Sequence, residues 1–258
     1  MTAIGLLIIA FVWLFFIKGI LFSGMLLGVC VIGFYELISM YKFNLRQKCF
    51  ALTVIVVIAI GIYYVRYDFS YIIRLMATLF WCFLVPIILA LQPKRFSKIT
   101  ITIIGVIVFI GAFYAVIVLR EALGSVQLLS IMAVAWIADT GAYFVGRSIG
   151  KYKLAPSISP GKSFEGALGG IILVILYLLL LKHFWHVSYL HNNMAVVKFA
   201  LIVTIISIIG DLFESWLKRV AEVKDSSNIL PGHGGVFDRI DSLVAVVAVA
   251  YAMLYNLL

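Results

Sequence analysis

The sequence predicts an all-α, polytopic integral membrane protein, with about nine transmembrane helices and its N-terminus in the cytoplasm. Three observations carry that prediction. Of 258 residues, 65% are hydrophobic and 12% charged, with a mean hydropathy of +1.18, whereas about a quarter of a soluble domain's residues are charged. The apolar residues fall into runs of about 20, the helix length that crosses the hydrocarbon. Basic residues collect in alternate loops, the pattern that sets orientation in a bilayer.

The first run, about 2 to 17, opens MTAIGLLIIAFVWLFF, with no basic stretch ahead of it and no small-residue cleavage site behind it. It is therefore expected to stay as a span and not to leave as a signal peptide. Only Lys18 and Gly19 separate it from the second run, 19 to 40; the two together exceed one crossing, so a tight hairpin is expected. Further runs lie at 49 to 65, 71 to 92, 99 to 119, 126 to 146, 168 to 185, 195 to 217 and 240 to 258. The loop after the second run carries Lys42, Arg46 and Lys48, and that after the fourth Lys94, Arg95 and Lys98. The loop after the sixth carries Arg147, Lys151, Lys153 and Lys162, and that after the eighth Lys218, Arg219, Lys224 and Arg239. The intervening loops hold less: Lys18, then Arg66 and Arg74 with Asp68, then Arg120 with Glu121, then Lys182 and Lys198. The even loops are thus expected on the cytoplasmic side.

The chain reads as a single membrane domain, 1–258, in which 1–125 supplies scaffold and lipid-side spans and 126–258 carries the chemistry. The net charge of +9 belongs to the short loops, so no nucleic-acid partner is implied. Cys30, Cys49 and Cys82 are scattered along the apolar runs and read as packing residues. His183, His186 and His191 read as solvated or interfacial.

Three carboxylates lie within or near the ends of spans in the second half: Asp139, Asp211 and Glu214. A charge at the bilayer centre costs about 2.5 to 3.5 kcal/mol on insertion scales, so each implies a partner or a function. Helical spacing puts Trp136, Asp139, Tyr143 and Gly146 on one stripe and Asp211, Ser215 and Lys218 on another. An interhelical salt bridge would satisfy Asp139 equally well. Asp211 is different, because the chain returns Asp238 and Asp241 to the membrane surface after a polar excursion. Carboxylates gathered from two helix ends suit magnesium, which takes one or two of them and leaves other positions to water and substrate phosphates.

Around these acids stand Lys162, Lys218, Arg219, Lys224 and Arg239, the complement that phosphate oxygens require. In the PGHGG stretch, Gly232, Gly234 and Gly235 can turn backbone N–H groups toward an anion, and His233 can donate to a phosphate or close the turn. Gly161, Lys162 and Ser163 spell the end of a P-loop, but Pro156 stands where its first glycine would be and no strand is expected ahead of it. These residues can still offer amides, an ammonium and a hydroxyl to phosphate. Gly166 and Gly170 are spaced for close helix packing.

The stretch from Ser215 to Asp241 resembles, position for position, the signature of the phosphatidate cytidylyltransferases: Ser, any, apolar, Lys-Arg, four residues, Lys-Asp, then Leu-Pro-any-His-Gly-Gly, and Asp-Arg-any-Asp. WIADTGAYFVGRSIGK and SPGKSFEG are similar to a second stretch of that family, with Ser163 where threonine is common. The resemblance implies transfer of the cytidylyl group of CTP to phosphatidic acid, with magnesium and a second, monovalent cation such as K+. It implies a site at the cytoplasmic face of the cell membrane, among membrane lipids, and admits a homodimer. Within it, Asp211 and Asp238 are expected to hold magnesium, with Asp241 and Asp139 as further ligands or their supports. Lys218 and Lys224 act in catalysis, and Lys162, Ser163, Ser215, Arg219, His233, Gly234, Gly235 and Arg239 bind substrate. Two rivals keep the same spans: a CTP-using lipid kinase, and an ion-coupled transporter in which Asp139, Asp211 and Glu214 couple to ions.

Overall fold

The computed structural model describes residues 11–185, 187–230, 232 and 234–255, the side chains of 66–68 excepted. Most of the expected first span lies outside the described residues. Its described end is helical at 11–16 and breaks at 17–18, and α1 follows as Gly19–Met40. Gly19 takes φ +59, which glycine adopts without steric penalty. The chain reverses there, bringing Trp13 onto Phe22 with ring centroids 4.8 Å apart. Arg120 fastens the reversal by donating to the carbonyls of Leu14, at 2.8 Å, and Ile17, with its guanidinium over the Phe22 ring. Carbonyls at a helix end lack partners within the helix, and a partly buried cation satisfies them here.

Helix α2, Leu45–Tyr64, begins earlier than hydropathy alone suggests because Asn44 and Gln47 form a reciprocal capping box, at 2.9 and 3.1 Å. Helix α3, Arg66–Leu79, passes through a π-helical turn at Phe80–Leu84 into α4, Val85–Leu91. That turn presents Phe80 and Trp81 edge-on to Phe213. Helix α5, Lys98–Ile149, has 52 residues, far longer than the roughly 20 that a bilayer needs. It is interrupted where Gly124 takes φ 84 and ψ 168. The break falls inside the gap expected between the runs ending at 119 and starting at 126: the helix continues through Arg120 and Glu121, which are good helix formers, and is interrupted at the glycine.

A two-stranded antiparallel hairpin follows, β1 at Lys153–Ala155 and β2 at Ser159–Ser163. It corrects the expectation that no strand precedes Gly161–Ser163. The segment still lacks the parallel strand and glycine-rich turn of a P-loop. Helices α6 (Phe164–Phe184), α7 (Asn193–Val220) and α8 (Phe237–Leu254) complete the described chain. Among the described residues six helices are long and apolar enough to cross a membrane, α5 counting as one of them. The protein is an all-α membrane protein with one small hairpin. Cys30 is buried as expected, whereas Cys49 lies exposed on α2.

Helix α8 is the hub. Every residue from Ser242 to Tyr251 is buried, as a helix apolar on all faces should be, and α5 and α7 pack along it. The second half of α5 meets α6 through glycine, as the Gly166 and Gly170 spacing suggests. A Cβ on Gly166 would stand 2.7 Å from the Ala142 carbonyl, and one on Gly170 2.8 Å from that of Ala138.

The loops expected to share a side share one end of the bundle. Lys98 Nζ donates to the Lys42 carbonyl at 3.1 Å, Gln92 bonds Ser157 at 2.9 Å, and Tyr41 donates to the Leu217 carbonyl at 3.1 Å. Contacts of the opposite end join Gln127 to Ser188, Ser130 to Tyr189 and Tyr251 to Ser70.

Candidate active site

At the end where 41–44, 92–97, 150–163, 221–230 and 234–236 gather, a cavity of about 700 Å³ opens between the C-terminal part of α5, the hairpin, the start of α6 and α7. Its volume falls in the range of small-molecule sites. Asp139, Tyr143 and Gly146 line it from one face of α5, as their spacing predicts, and Arg147 extends that face by another turn. Arg147 donates to the Tyr143 hydroxyl at 2.7 Å. Lys153 and Lys162 line the cavity from the hairpin and Asp211 from α7.

Lys162 Nζ lies 2.6 Å from Asp211 Oδ2, both side chains about a quarter exposed. Ser215 donates to the other oxygen of Asp211 at 3.3 Å. Asp241 joins from α8, because Gly210 lets α7 and α8 touch: a Cβ there would stand 2.9 Å from both the Asp241 carbonyl and the Ala245 methyl. Asp139, Asp211, Asp241 and Lys162 consequently act on one another's charge.

Further along α7 is a second cluster. Lys218 Nζ lies 2.7 Å from Glu214 Oε2 and 2.7 Å from Asp238 Oδ1. Asp238 Oδ2 accepts from the amide of Ser226 at 3.0 Å, its hydroxyl at 2.9 Å and the amide of Gly235 at 2.7 Å. Glu214 Oε1 is buried with no hydrogen-bond partner.

The expected site residues therefore divide. Asp139, Asp211, Asp241 and Lys162 come together, and Ser215 supports Asp211. Asp238 departs from the expectation of an open magnesium ligand: both its oxygens are engaged, and it can turn one to an ion only by releasing Lys218 or the loop. Gly234, at φ +78, and Gly235 approach carboxylates of this chain itself; a Cβ on Gly234 would stand 2.6 Å from Asp238 Oδ2. Arg219 and Lys224 are exposed, Arg219 Nε donating to the Ile158 carbonyl at 3.4 Å, and Arg239 is exposed at the start of α8. His233 lies outside the described residues.

Ser163 lines the cavity but is buried, and its hydroxyl accepts from the Gly166 amide at 3.1 Å as the N-cap of α6. Ser163→Ala is expected to destabilise the protein by about 1 kcal/mol, read as a lowered melting midpoint in detergent.

Three site residues escaped the sequence reading. Arg147 and Lys153 pass there as loop charges; for Arg147 the signal is its place eight residues, two helical turns and a little more, beyond Asp139. The third, Glu36 in α1, is fully buried, and a carboxylate near the end of an apolar run is flagged by the burial rule that singles out Asp139.

Among the described residues no three Asp, Glu, His or Cys side chains are drawn together tightly enough for a preformed metal centre. The donor chemistry nevertheless fits magnesium: carboxylates from two helices, Asp139 and Asp211, line one cavity, and in this structure the Lys162 ammonium supplies the counter-charge at Asp211.

Comparison with known proteins agrees with this chemistry. Residues 1–257 match the family model described as the cytidylyltransferase family. The chain is 34% identical over 263 aligned positions to a phosphatidate cytidylyltransferase of Pseudomonas aeruginosa, covering 98% of this chain and 95% of that protein. It is 47% identical over 126 residues to one from Haemophilus influenzae, covering 48% of this chain and 44% of that protein. Over 123 residues it is 46% identical to one from Bacillus subtilis, covering 47% of this chain and 44% of that protein.

Proposed function

The chain belongs to the cytidylyltransferase family, and from that premise we propose that it transfers the cytidylyl group of CTP to phosphatidic acid, releasing CDP-diacylglycerol and pyrophosphate. The observation that carries this reading is the pairing of Asp211 with Lys162 in a cavity whose wall also holds Asp139, Arg147 and Lys153. Acids and bases together suit a metal-bound nucleotide, the acids facing the ion and the bases the phosphate oxygens.

A phosphomonoester has its second pKa near 6 on the scale of phosphoproteins, so the lipid phosphate is largely dianionic at neutral pH and needs little help from a base. One of its oxygens forms a bond to the α-phosphorus of CTP as the bond from that phosphorus to the β-phosphate bridge breaks, and the electron pair leaves with pyrophosphate. The work left to the protein is alignment and charge neutralisation. Asp211, with Asp139 and Asp241 beside it, would hold magnesium. When bound, the ion supplies Lewis-acid neutralisation of phosphate oxygens. Lys162, relieved of Asp211, then turns its ammonium to phosphate, while Arg147 and Lys153 restrain the two anions at the rim. Lys218, fixed between Glu214 and Asp238, keeps the helix ends in register. The unbonded oxygen of Glu214 would be available to the monovalent cation that the resemblance implies.

An apolar groove of about 490 Å³ lies against the same helix pair, lined by Phe144, Ile149, Leu168 and Ile172. It suits the acyl chains of a substrate arriving from the leaflet, with CTP entering from the cytoplasm. This reading takes the chain as nine spans, with the basic loops and the site on the cytoplasmic side of the cell membrane.

CTP labelled at the α-phosphorus discriminates this reaction from lipid phosphorylation. Label is expected in the lipid fraction together with release of pyrophosphate; label left entirely in soluble nucleotide, with phosphate passed on from the γ position, would replace cytidylyl transfer with a kinase.

A further inference from the structure

We propose that Glu36 is a positioning residue: from α1 it caps α8 and fixes residues 226–230 and 234–237 in the shape in which Asp238 holds Lys218. Glu36 is 0% exposed, and its two oxygens receive three donors of their own and share a fourth with Asp238. Oε1 accepts from the Val236 amide at 3.0 Å and the Ser227 hydroxyl at 2.6 Å. Oε2 accepts from the Phe237 amide at 2.7 Å and lies 3.2 Å from the Ser226 hydroxyl, whose single hydrogen it shares with Asp238 Oδ2 at 2.9 Å.

Two of those donors are the first amides of α8, which has no side-chain cap from its own N-terminus. Such amides have no partner within the helix, and the helix dipole favours an anion there. A side chain 200 residues away in sequence, from Glu36 to Val236, therefore does the work that Ser or Asp does locally at other helices. The mechanical link to the site is short. The Ser226 hydroxyl lies within hydrogen-bond distance of both Glu36 Oε2 and Asp238 Oδ2, and Gly235 donates its amide to Asp238 while its Cα lies against Glu36. A Cβ on Gly235 would meet Ser226 Oγ first and would stand 2.6 and 2.7 Å from the Glu36 oxygens, so the glycine is required by the Ser226–Glu36 pair. Releasing Glu36 frees the loop that orients Asp238, and through it Lys218.

In Glu36→Gln the side-chain amide confronts either the Val236 or the Phe237 N–H with another donor. The test compares wild type, Glu36→Gln and Ser227→Ala, each purified in detergent, by hydrogen exchange and by steady-state kinetics. In Glu36→Gln, exchange at 234–237 should rise about tenfold, as for a lost helix cap, with exchange in α5 and α7 unchanged. The kinetic arm rests on the cytidylyl-transfer reading: kcat should fall about a hundredfold, the effect of displaced catalytic groups, with KM for CTP unchanged. Ser227→Ala, which keeps the carboxylate, should move both readouts in the same direction by less. Exchange that rises uniformly through the bundle, or a loop and kcat that do not change, overturns the proposal. Should Glu36→Gln fail to fold, unaltered loop exchange in Ser227→Ala overturns it. A wild-type protein inactive on CTP and phosphatidic acid would overturn the reaction assignment while the loop response still supports the anchor.

Discussion

Asp238→Asn is expected to lower turnover at least about a hundredfold while the protein still assembles in the membrane and extracts as a single species. The Asp238 and Lys218 side chains are only 7% and 14% exposed, and removing one partner of a buried ion pair costs about 3 to 5 kcal/mol. About 2.7 kcal/mol placed on the transition state already corresponds to a hundredfold in rate. Asparagine has one acceptor oxygen where the site supplies an ammonium on one side and three N–H or O–H donors on the other. Either rotamer sets its amide against a donor. Glu214 still holds Lys218, which is why folding should survive. Pyrophosphate release from CTP and phosphatidic acid measures the effect; a rate near wild type would remove the Lys218–Asp238 pair from the reaction.

Asp211→Asn should be more severe, about a thousandfold in turnover at saturating substrate. It removes the proposed magnesium ligand and leaves Lys162 without its partner at 2.6 Å, free to turn its charge to Asp139 and Asp241. Loss of a transition-state contact lowers kcat and kcat/KM together. The magnesium concentration giving half-maximal rate should also rise, a change that simple loss of fold does not produce. Lys162→Met keeps the carboxylates and is expected instead to raise KM for CTP. If Asp211→Asn keeps the wild-type magnesium dependence, the ion is held elsewhere.

How much of this was legible in the sequence depends on the range of the interaction concerned. Asp139 and Tyr143 are set by helical periodicity, which acts over four residues, and the structure places both on the cavity wall. Asp211 and Asp241 are legible as acids returning to one membrane surface, but their meeting depends on Gly210, whose importance shows only when α8 lies against it. Lys162 is legible as a base near phosphate; its present partner is not, since a hairpin that no apolar pattern announces carries it to α7. Gly234 and Gly235 are read as an anion cradle. The Gly235 amide and the close approach of both glycines do meet anions, but those anions are Asp238 and Glu36 of the chain itself. The break between the runs 99 to 119 and 126 to 146 is legible, but its place within that gap, at Gly124 and not at the charged Arg120 and Glu121, is set by backbone conformation.

The sequence by itself determined the solvent and the helical class, because the hydrophobic effect acts on composition and on runs of about 20 residues. It also determined the chemical kind of the site, because acids, bases and glycines keep their chemistry wherever the chain places them. Only the tertiary structure decided the pairings: Lys162 with Asp211, Lys218 between Glu214 and Asp238, and Glu36 on the first turn of α8. A hydrogen bond or ion pair acts over about 3 Å, and no periodicity along the chain specifies which of its distant segments come that close.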